Sequence, residues 1–161
     1  MPNDEQRIYW DTCVYLSYIS GTLDRLPVIQ QILANARQNK AILTSIVSMV
    51  EVAYAAHEKN PGPLDPQVEK AMDQLWADDS VTEIVELNHD VAGMARDLMR
   101  RATATQRKLK PLDAIQLASA QWMRAREFHT YDRELLRQEF DKDIGCKVCE
   151  PYVVALRLPN I

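Results

Sequence analysis

Strand-like and helix-like segments alternate along the chain, and this order predicts an α/β fold with helices on both faces of a central sheet. Successive predicted strands are separated by one or two helices, which is the connection that parallel strands require. The chain has 161 residues, of which 47% are hydrophobic, and this is enough for one domain with a substantial core. We therefore predict a three-layer α/β/α sandwich around a roughly five-stranded, mainly parallel sheet, formed by residues 1–161 as a single domain.

The first half of the chain contains two predicted strands, each followed by two helices. The first strand, RIYW, is rich in β-prone residues and ends at Asp11 and Thr12, a pair suited to capping a helix. Pro27 opens the second helix, and Asp65 with Pro66 opens the fourth, because proline is well tolerated in a first helical turn. The predicted elements are strands at 7–10 and 41–46, helices at 14–21, 28–39, 47–60 and 65–79, and a loop at 60–63.

The second half of the chain repeats the alternation. Asn88 follows a predicted strand and can cap the next helix. A basic loop then leads into LKPLDAIQLASAQW, a helix with Pro111 in its first turn and Asp113 among unpaired backbone N–H groups. Pro151 in the β-rich tail suits a bend or a sheet edge. The predicted elements are strands at 82–87, 128–132 and 147–158 and helices at 88–99, 109–122 and 132–140.

Composition and charge limit the classes of function. The net charge of −4 and the pI near 5.4 argue against broad, non-specific binding to nucleic acid. However, residues 90–137 contain ten Arg and Lys against six Asp and Glu, which predicts either a basic rim or ordinary solvated helix faces. No apolar run approaches the roughly 20 residues of a membrane span. The polar N-terminus lacks the plan of a signal peptide, and three cysteines are consistent with a reducing, cytoplasmic setting.

Four acidic residues lie at or near the points where predicted strands end or helices begin: Asp11, Glu51, Asp113 and Asp132. Ligands of parallel sheets bind at the carboxyl ends of the strands, so these acids can converge on one crevice. Clustered carboxylates raise one another's pKa and need a compensating cation. Arg or Lys side chains would make them structural ion pairs, and Asp113 alone would suit a helix N-terminus. Alternatively, a set of oxygen ligands suits Mg²⁺ or Mn²⁺.

Four segments, in order, resemble the motifs of PIN-domain proteins, specifically the ribonuclease toxins of VapBC-type toxin–antitoxin pairs. The segments are IYWDTCVYLSYI, TSIVSMVEVAYA, LKPLDAIQLASA and HTYDRELL. The resemblance extends from Arg7 to about Tyr152 and implies a PIN-like fold that hydrolyses RNA phosphodiester bonds with Mg²⁺ or Mn²⁺. It implies that Asp11 and Asp113 are the principal metal ligands and that Glu51 and Asp132 complete the catalytic site.

The same resemblance implies supporting residues and partners. Thr12 and Thr130 would orient water or a phosphate oxygen. The expected partners are RNA, a small cognate antitoxin and a second copy of the chain in a homodimer, with no membrane. The basic residues expected to hold the RNA backbone are Arg100, Arg101, Arg107, Lys108 and Lys110. Two alternatives stay open, namely a PIN-like module that binds RNA or protein without cutting, and an RNA-processing nuclease that is not a toxin. The segment 57–79 is longer than in compact members of the family.

Other chemistry-bearing residues form no recognisable motif in the sequence. Cys146 and Cys149 form a CxxC, but a thioredoxin-type site needs that motif at the start of a helix, and a zinc site needs a second ligand pair. We therefore predict structural cysteines. The three histidines, His57, His89 and His129, lack mutual ligand spacing and are predicted to be surface or packing residues. The absence of GxSxG, GxxxxGK and GxGxxG argues against serine hydrolases, P-loop NTPases and dinucleotide-binding domains.

Overall fold

Five strands form one fully parallel sheet in the computed structural model, which describes residues 7–39, 42–59, 65–78 and 82–154. The strand order is β3-β2-β1-β4-β5. The strands are β1 (Ile8–Trp10), β2 (Ile42–Ser45), β3 (Thr82–Val85), β4 (Glu127–His129) and β5 (Lys147–Cys149). The predicted α/β class and the parallel sheet are confirmed.

Eight helices connect the strands in the described parts of the chain. They are α1 (Thr12–Ile19), α2 (Leu26–Asn39), α3 (Ile46–Lys59), α4 (Pro66–Ala77), α5 (His89–Ala104), α6 (Pro111–Trp122), α7 (Arg133–Arg137) and α8 (Asp141–Ile144). None of these helices combines the length and the apolar character that crossing a bilayer demands.

The prediction is wrong in detail after β4. The single helix expected at 132–140 ends at Arg137, and the chain turns through Glu139, whose φ is 53°, into the separate helix α8. The strand expected at 147–158 spans only Lys147–Cys149, and residues 150–154 are irregular. The remainder of that expected strand and the predicted loop at 60–63 lie outside the described residues.

Two hydrophobic clusters, one on each face of the sheet, hold the helices. Side chains of a strand point alternately to opposite faces, so Tyr9 packs with α5–α8, whereas Ile8 and Trp10 pack with α1–α4. Burial of each such large side chain stabilises the fold by about 1.5–3 kcal/mol. Within the long segment 57–79, Trp76 is buried against Tyr15, with their ring centroids 4.7 Å apart. The described part of that segment therefore completes the hydrophobic cluster that contains Ile8 and Trp10.

The strand order creates a crevice at the carboxyl edge of the sheet. The chain runs outward from β1 through β2 to β3 and then returns to place β4 on the other side of β1. The connections leaving β1 and β4 therefore diverge, and such a switch point is where open α/β sheets bind ligands. The residues that follow these two strands, Asp11 and Thr130, flank the crevice.

Candidate active site

Four carboxylates from separate parts of the chain meet at this crevice. Asp11 follows β1, Glu51 lies on α3, Asp113 lies in the first turn of α6, and Asp132 caps α7. Burial, together with the charges of Asp132 and Glu51, raises the pKa of Asp113 to about 6. The charge of Asp113 in turn raises the pKa of Asp11. The charge of each acid thus acts on at least one of the others or is acted on by it, so the fold brings all four predicted acids to one crevice.

Asp11 is the most buried of the four, with 5% of its surface exposed. Its extended backbone ends β1, and the residue forms the N-cap of α1, which fixes the direction of its side chain. One carboxylate oxygen accepts a hydrogen bond from the Thr12 backbone N–H at 2.8 Å, and the other accepts one from the Thr130 hydroxyl at 2.8 Å. Burial raises the pKa of Asp11 to about 6, although these hydrogen bonds favour the charged form.

Asp113 is the third residue of α6, which begins at Pro111. The sequence allowed the view that it merely complements the helix N-terminus. However, its half-buried carboxylate accepts no hydrogen bond from any described residue, and the N-terminus of α6 has no side-chain cap. The charge of Lys110 partly offsets the repulsion from the other acids. The position of Asp113 is therefore set by the first turn of α6 and not by side-chain hydrogen bonds, and its carboxylate oxygens are free to bind a ligand.

Glu51 is fixed by two neighbouring side chains. The Thr12 hydroxyl donates a hydrogen bond to its Oε2 atom, and the Gln116 amide donates to the same oxygen at 2.9 Å. The Gln116 amide also reaches the Thr12 hydroxyl at 3.1 Å. Three elements, α1, α3 and α6, are thus joined at one carboxylate oxygen.

Thr130 and Asp132 form the opposite wall of the crevice. The buried Thr130 hydroxyl donates to Asp11 and accepts the Asp132 backbone N–H at 3.0 Å. One oxygen of Asp132 caps α7 by accepting two backbone N–H groups at 2.8 and 3.3 Å. The Cys13 sulfur lies 3.2 Å from the Thr130 hydroxyl, and burial raises the pKa of Cys13 to about 12, so this thiol stays neutral. The wall is therefore rigid and carries charge only on its carboxylates.

Gln116 is a site residue that the sequence analysis missed. It is 1% exposed, and its carbonyl oxygen accepts hydrogen bonds from the Tyr9 hydroxyl and, at 3.3 Å, from the Ser48 hydroxyl. A glutamine inside an otherwise apolar and small helix face, three residues after Asp113, was the signal for it, because residues at that spacing share one face of a helix. Nothing in the sequence identified its partners, which come from distant elements.

The four carboxylates fit a hard divalent cation. None of them forms a salt bridge with a described Arg or Lys, so the structural ion pairs that the sequence left open are not found in the described part of the chain. No three of them place oxygens within 4.8 Å of one another. Mg²⁺ does not need three such oxygens, because it keeps several waters and binds one or two carboxylates directly.

The expected RNA-binding residues fall into two groups. Arg107 is engaged in the fold, since it donates to Asp143 at 2.7 and 3.2 Å and its guanidinium lies 4.5 Å from the centroid of the Phe140 ring. Arg101 lies 3.9 Å from the same carboxylate. Arg100, Arg101, Lys108 and Lys110 are exposed, although Arg100 lies 3.9 Å from Asp97. Lys110 lies close enough to Asp113 to lower its pKa.

Comparison with known proteins agrees with this geometry. The family model described as PIN domain matches residues 8–141. No curated protein matches the sequence at a significant level. Among solved structures, VapBC2 from Rickettsia felis, bound to a DNA fragment from its promoter, has a TM-score of 0.69 and 14% identity over 92% of this chain and 100% of that one.

Two further solved structures are similar in fold. The Mycobacterium tuberculosis toxin VapC20, described as cleaving the sarcin–ricin loop, has a TM-score of 0.63 and 14% identity over 82% of this chain and 95% of its own. A toxin–antitoxin complex from Klebsiella pneumoniae has a TM-score of 0.59 and 24% identity over 91% of this chain and 99% of that one. At these identities the likeness establishes the shared fold.

Proposed function

This chain belongs to the PIN domain family, and we propose that it is a Mg²⁺- or Mn²⁺-dependent endoribonuclease whose domain spans residues 1–161. The observation that carries the proposal is the convergence of four carboxylates that have no described cationic partner. Two of them, Asp11 and Asp113, have a pKa raised to about 6. A fold that keeps unpaired carboxylates together is destabilised by their repulsion unless a cation binds there.

The residues of the crevice have two kinds of role, binding the cation and positioning the carboxylates. We propose that Asp11 and Asp113 hold the cation directly and that Glu51 and Asp132 complete the site directly or through water. When bound, the cation supplies positive charge to the phosphate under attack and makes water more acidic. Thr12 keeps the Glu51 carboxylate in place, and Thr130 does the same for Asp11.

The RNA backbone is proposed to follow the basic surface beside α6. Lys110 and Lys108 are exposed in the loop before this helix, and Arg100 is exposed on the neighbouring α5. Each cation that neutralises a phosphate adds salt-dependent affinity. Arg107 contributes less to this surface, because its guanidinium already donates two hydrogen bonds to Asp143.

The cleavage assay tests the proposed activity. Purified chain, freed of any partner, should cut RNA when Mg²⁺ or Mn²⁺ is added and should stop when EDTA is added. Asp11→Asn should reduce cleavage by at least about a hundredfold, since loss of residues that merely support a metal ligand already costs 10- to 100-fold. Intact RNA with every metal, together with RNA binding that Asp11→Ala leaves unchanged, would establish a non-cleaving module instead.

We further propose that the chain is the toxin of a VapBC-type pair, neutralised by a small antitoxin and assembled as a homodimer. The resemblance of its four motifs supports this, as does the fold shared with toxin–antitoxin complexes. Expression alone should arrest growth, and co-expression of a small protein encoded immediately upstream should relieve the arrest and co-purify with the chain. Harmless expression of a cleavage-active chain would identify an RNA-processing enzyme, and light scattering would reveal a monomer if the dimer is absent.

A further inference from the structure

A second group of metal-ligating side chains lies on β4 and β5, away from the four carboxylates. Glu127, His129 and Cys149 each place one ligand atom so that all three atoms lie within 4.8 Å of one another. The strand register explains this: His129 is paired with Cys149, and Glu127 lies two residues before His129 on the same strand. Because side chains alternate along a strand, all three point to the same face of the sheet.

We propose that Glu127, His129 and Cys149 form a second metal site, selective for Zn²⁺ or a cation of similar softness, that ties the edge strand β5 to β4. A thiolate and an imidazole prefer Zn²⁺ to Mg²⁺, and the carboxylate completes a set that zinc sites commonly use. Three protein ligands leave one tetrahedral position for water. The proposal is independent of the nuclease activity.

His129 is the buried ligand of this site. Its imidazole is 1% exposed, yet its Nδ1 atom has no hydrogen-bond partner among the described residues. The other ring nitrogen, Nε2, lies 2.7 Å from the Glu127 carboxylate. Nε2 is therefore the nitrogen that would bind the cation together with the Glu127 oxygen.

Metal binding would demand only a small adjustment. Nitrogen and oxygen ligands of tetrahedral Zn²⁺ lie about 3.3 Å apart, given bonds of about 2.0–2.1 Å. The His129 Nε2 and Glu127 Oε2 atoms, now 2.7 Å apart, would separate by roughly half an ångström to admit the cation. Glu127 and Cys149 are only half-buried, so a cation can reach them from solvent. The Tyr152 hydroxyl donates to the second Glu127 oxygen and keeps the carboxylate turned towards His129.

The competing explanation is a hydrogen-bonded cluster that needs no cation. The hydrogen bond from His129 lowers the pKa of Glu127 to about 2, so the pair is already favourable. Lys147 also brings positive charge near the site, with its ammonium 4.6 Å from the centroid of the Tyr152 ring. Neither feature accounts for the position of the Cys149 sulfur, which lies within 4.8 Å of the other two ligand atoms.

The CxxC motif does not act as a chelating pair in this arrangement. Cys146 is 5% exposed and packs in the hydrophobic cluster on the opposite face of the sheet, with Phe128 and Phe140. This separation offers a matched control, because the same substitution can be made at a cysteine inside the proposed site and at one outside it.

Titration with Co²⁺ tests the site, because a thiolate bound to Co²⁺ absorbs in the near ultraviolet and carboxylates do not. In the wild type this absorption should saturate at one equivalent of Co²⁺. It should be lost in Cys149→Ala, and Glu127→Gln should bind Co²⁺ at least tenfold more weakly. The absorption should persist in Cys146→Ala. It should also persist in Cys13→Ala and Asp113→Asn, which change residues of the carboxylate crevice. Absorption that survives in Cys149→Ala, or none in the reduced wild type, would leave a hydrogen-bonded cluster only.

A thermal shift provides a readout that does not depend on RNA cleavage. Zn²⁺ at a hundredfold excess over its Kd should raise the melting temperature of the wild type by about 5–10 °C, and a chelator should reverse the change. Asp113→Asn should keep the part of the Zn²⁺ shift that comes from the second site. Cys149→Ser, which keeps the size of the side chain, should abolish that part. An equal Zn²⁺ shift in Cys149→Ser and the wild type would overturn the proposal, even if the nuclease is active.

Discussion

Asp113 and Asp143 are the same residue type in two regions of one molecule, and their surroundings shift their acidity in opposite directions. Asp143 on α8 receives two hydrogen bonds from Arg107, which hold the pKa of its carboxyl below the usual range. For Asp113 in the crevice, burial and the charges of Asp132 and Glu51 raise the pKa to about 6. A carboxylate that serves the fold is paired with a cation, whereas the crevice keeps its carboxylates unpaired. We attribute the difference to function at the crevice.

The largest expected effect comes from making the same Asp→Asn substitution in both regions. Asp113→Asn should lower RNA cleavage by at least about a hundredfold, because it removes a proposed metal ligand, while the metal-free melting temperature stays level or rises. Asp143→Asn should leave cleavage within a few-fold of the wild type and lower stability by about 1–2 kcal/mol, or about 3–6 °C, because Arg107 loses its charged partner. A large loss of stability in Asp113→Asn would show that this acid serves the fold instead.

An intermediate effect is expected where the crevice depends on a neutral side chain. Gln116→Leu should lower kcat by about 10- to 100-fold, since the amide holds Glu51 and the Thr12 hydroxyl in position. Higher Mn²⁺ concentration should restore part of the rate, a response that a purely structural defect would not give. Gln121→Leu, the same change on a half-buried position of α6, is the control and should have little effect. Equal losses in the two variants, with no rescue by Mn²⁺, would remove Gln116 from the site.

The smallest effect concerns the pH dependence of stability without metal. Asp11 and Asp113 have a folded-state pKa of about 6, above the value of about 3.9 in the unfolded chain. The folded state therefore binds more protons than the unfolded state between these pH values, so stability rises as the pH falls through about 6 towards 4. Asp143 has the opposite shift and loses its contribution only at lower pH.

Thermal melts of the wild type and of Asp11→Asn/Asp113→Asn in EDTA measure this contribution, because groups common to both proteins cancel in the difference. Between pH 7.5 and 5.5 the wild type should gain a few degrees relative to the double variant. Parallel curves for the two proteins would mean that burial and mutual repulsion do not raise the pKa of these carboxylates in the metal-free fold. Added Mg²⁺ should abolish the difference, since a bound cation replaces the proton.

Local patterns in the sequence were sufficient for most of the fold. The RIYW run followed by Asp11 and Thr12 specified a strand that passes into a helix, and Pro111 specified the start of α6, because backbone preference and capping depend on residues only a few positions apart. The four acids were identifiable for the same reason, since each lies beside a strand end or a helix start. The break between α7 and α8 was not identified, because it depends on Glu139 adopting a positive φ that its sequence does not require.

The sequence by itself determined the order of the strands and helices and the positions of the acids along the chain. Only the tertiary structure decided which residues meet. It placed β4 beside β1, joined Gln116 to Glu51, assigned Arg107 to Asp143 and brought Cys149 next to His129 instead of next to Cys146. The physical reason is that such contacts join residues far apart in sequence, and they follow from strand register and helix packing rather than from any local preference.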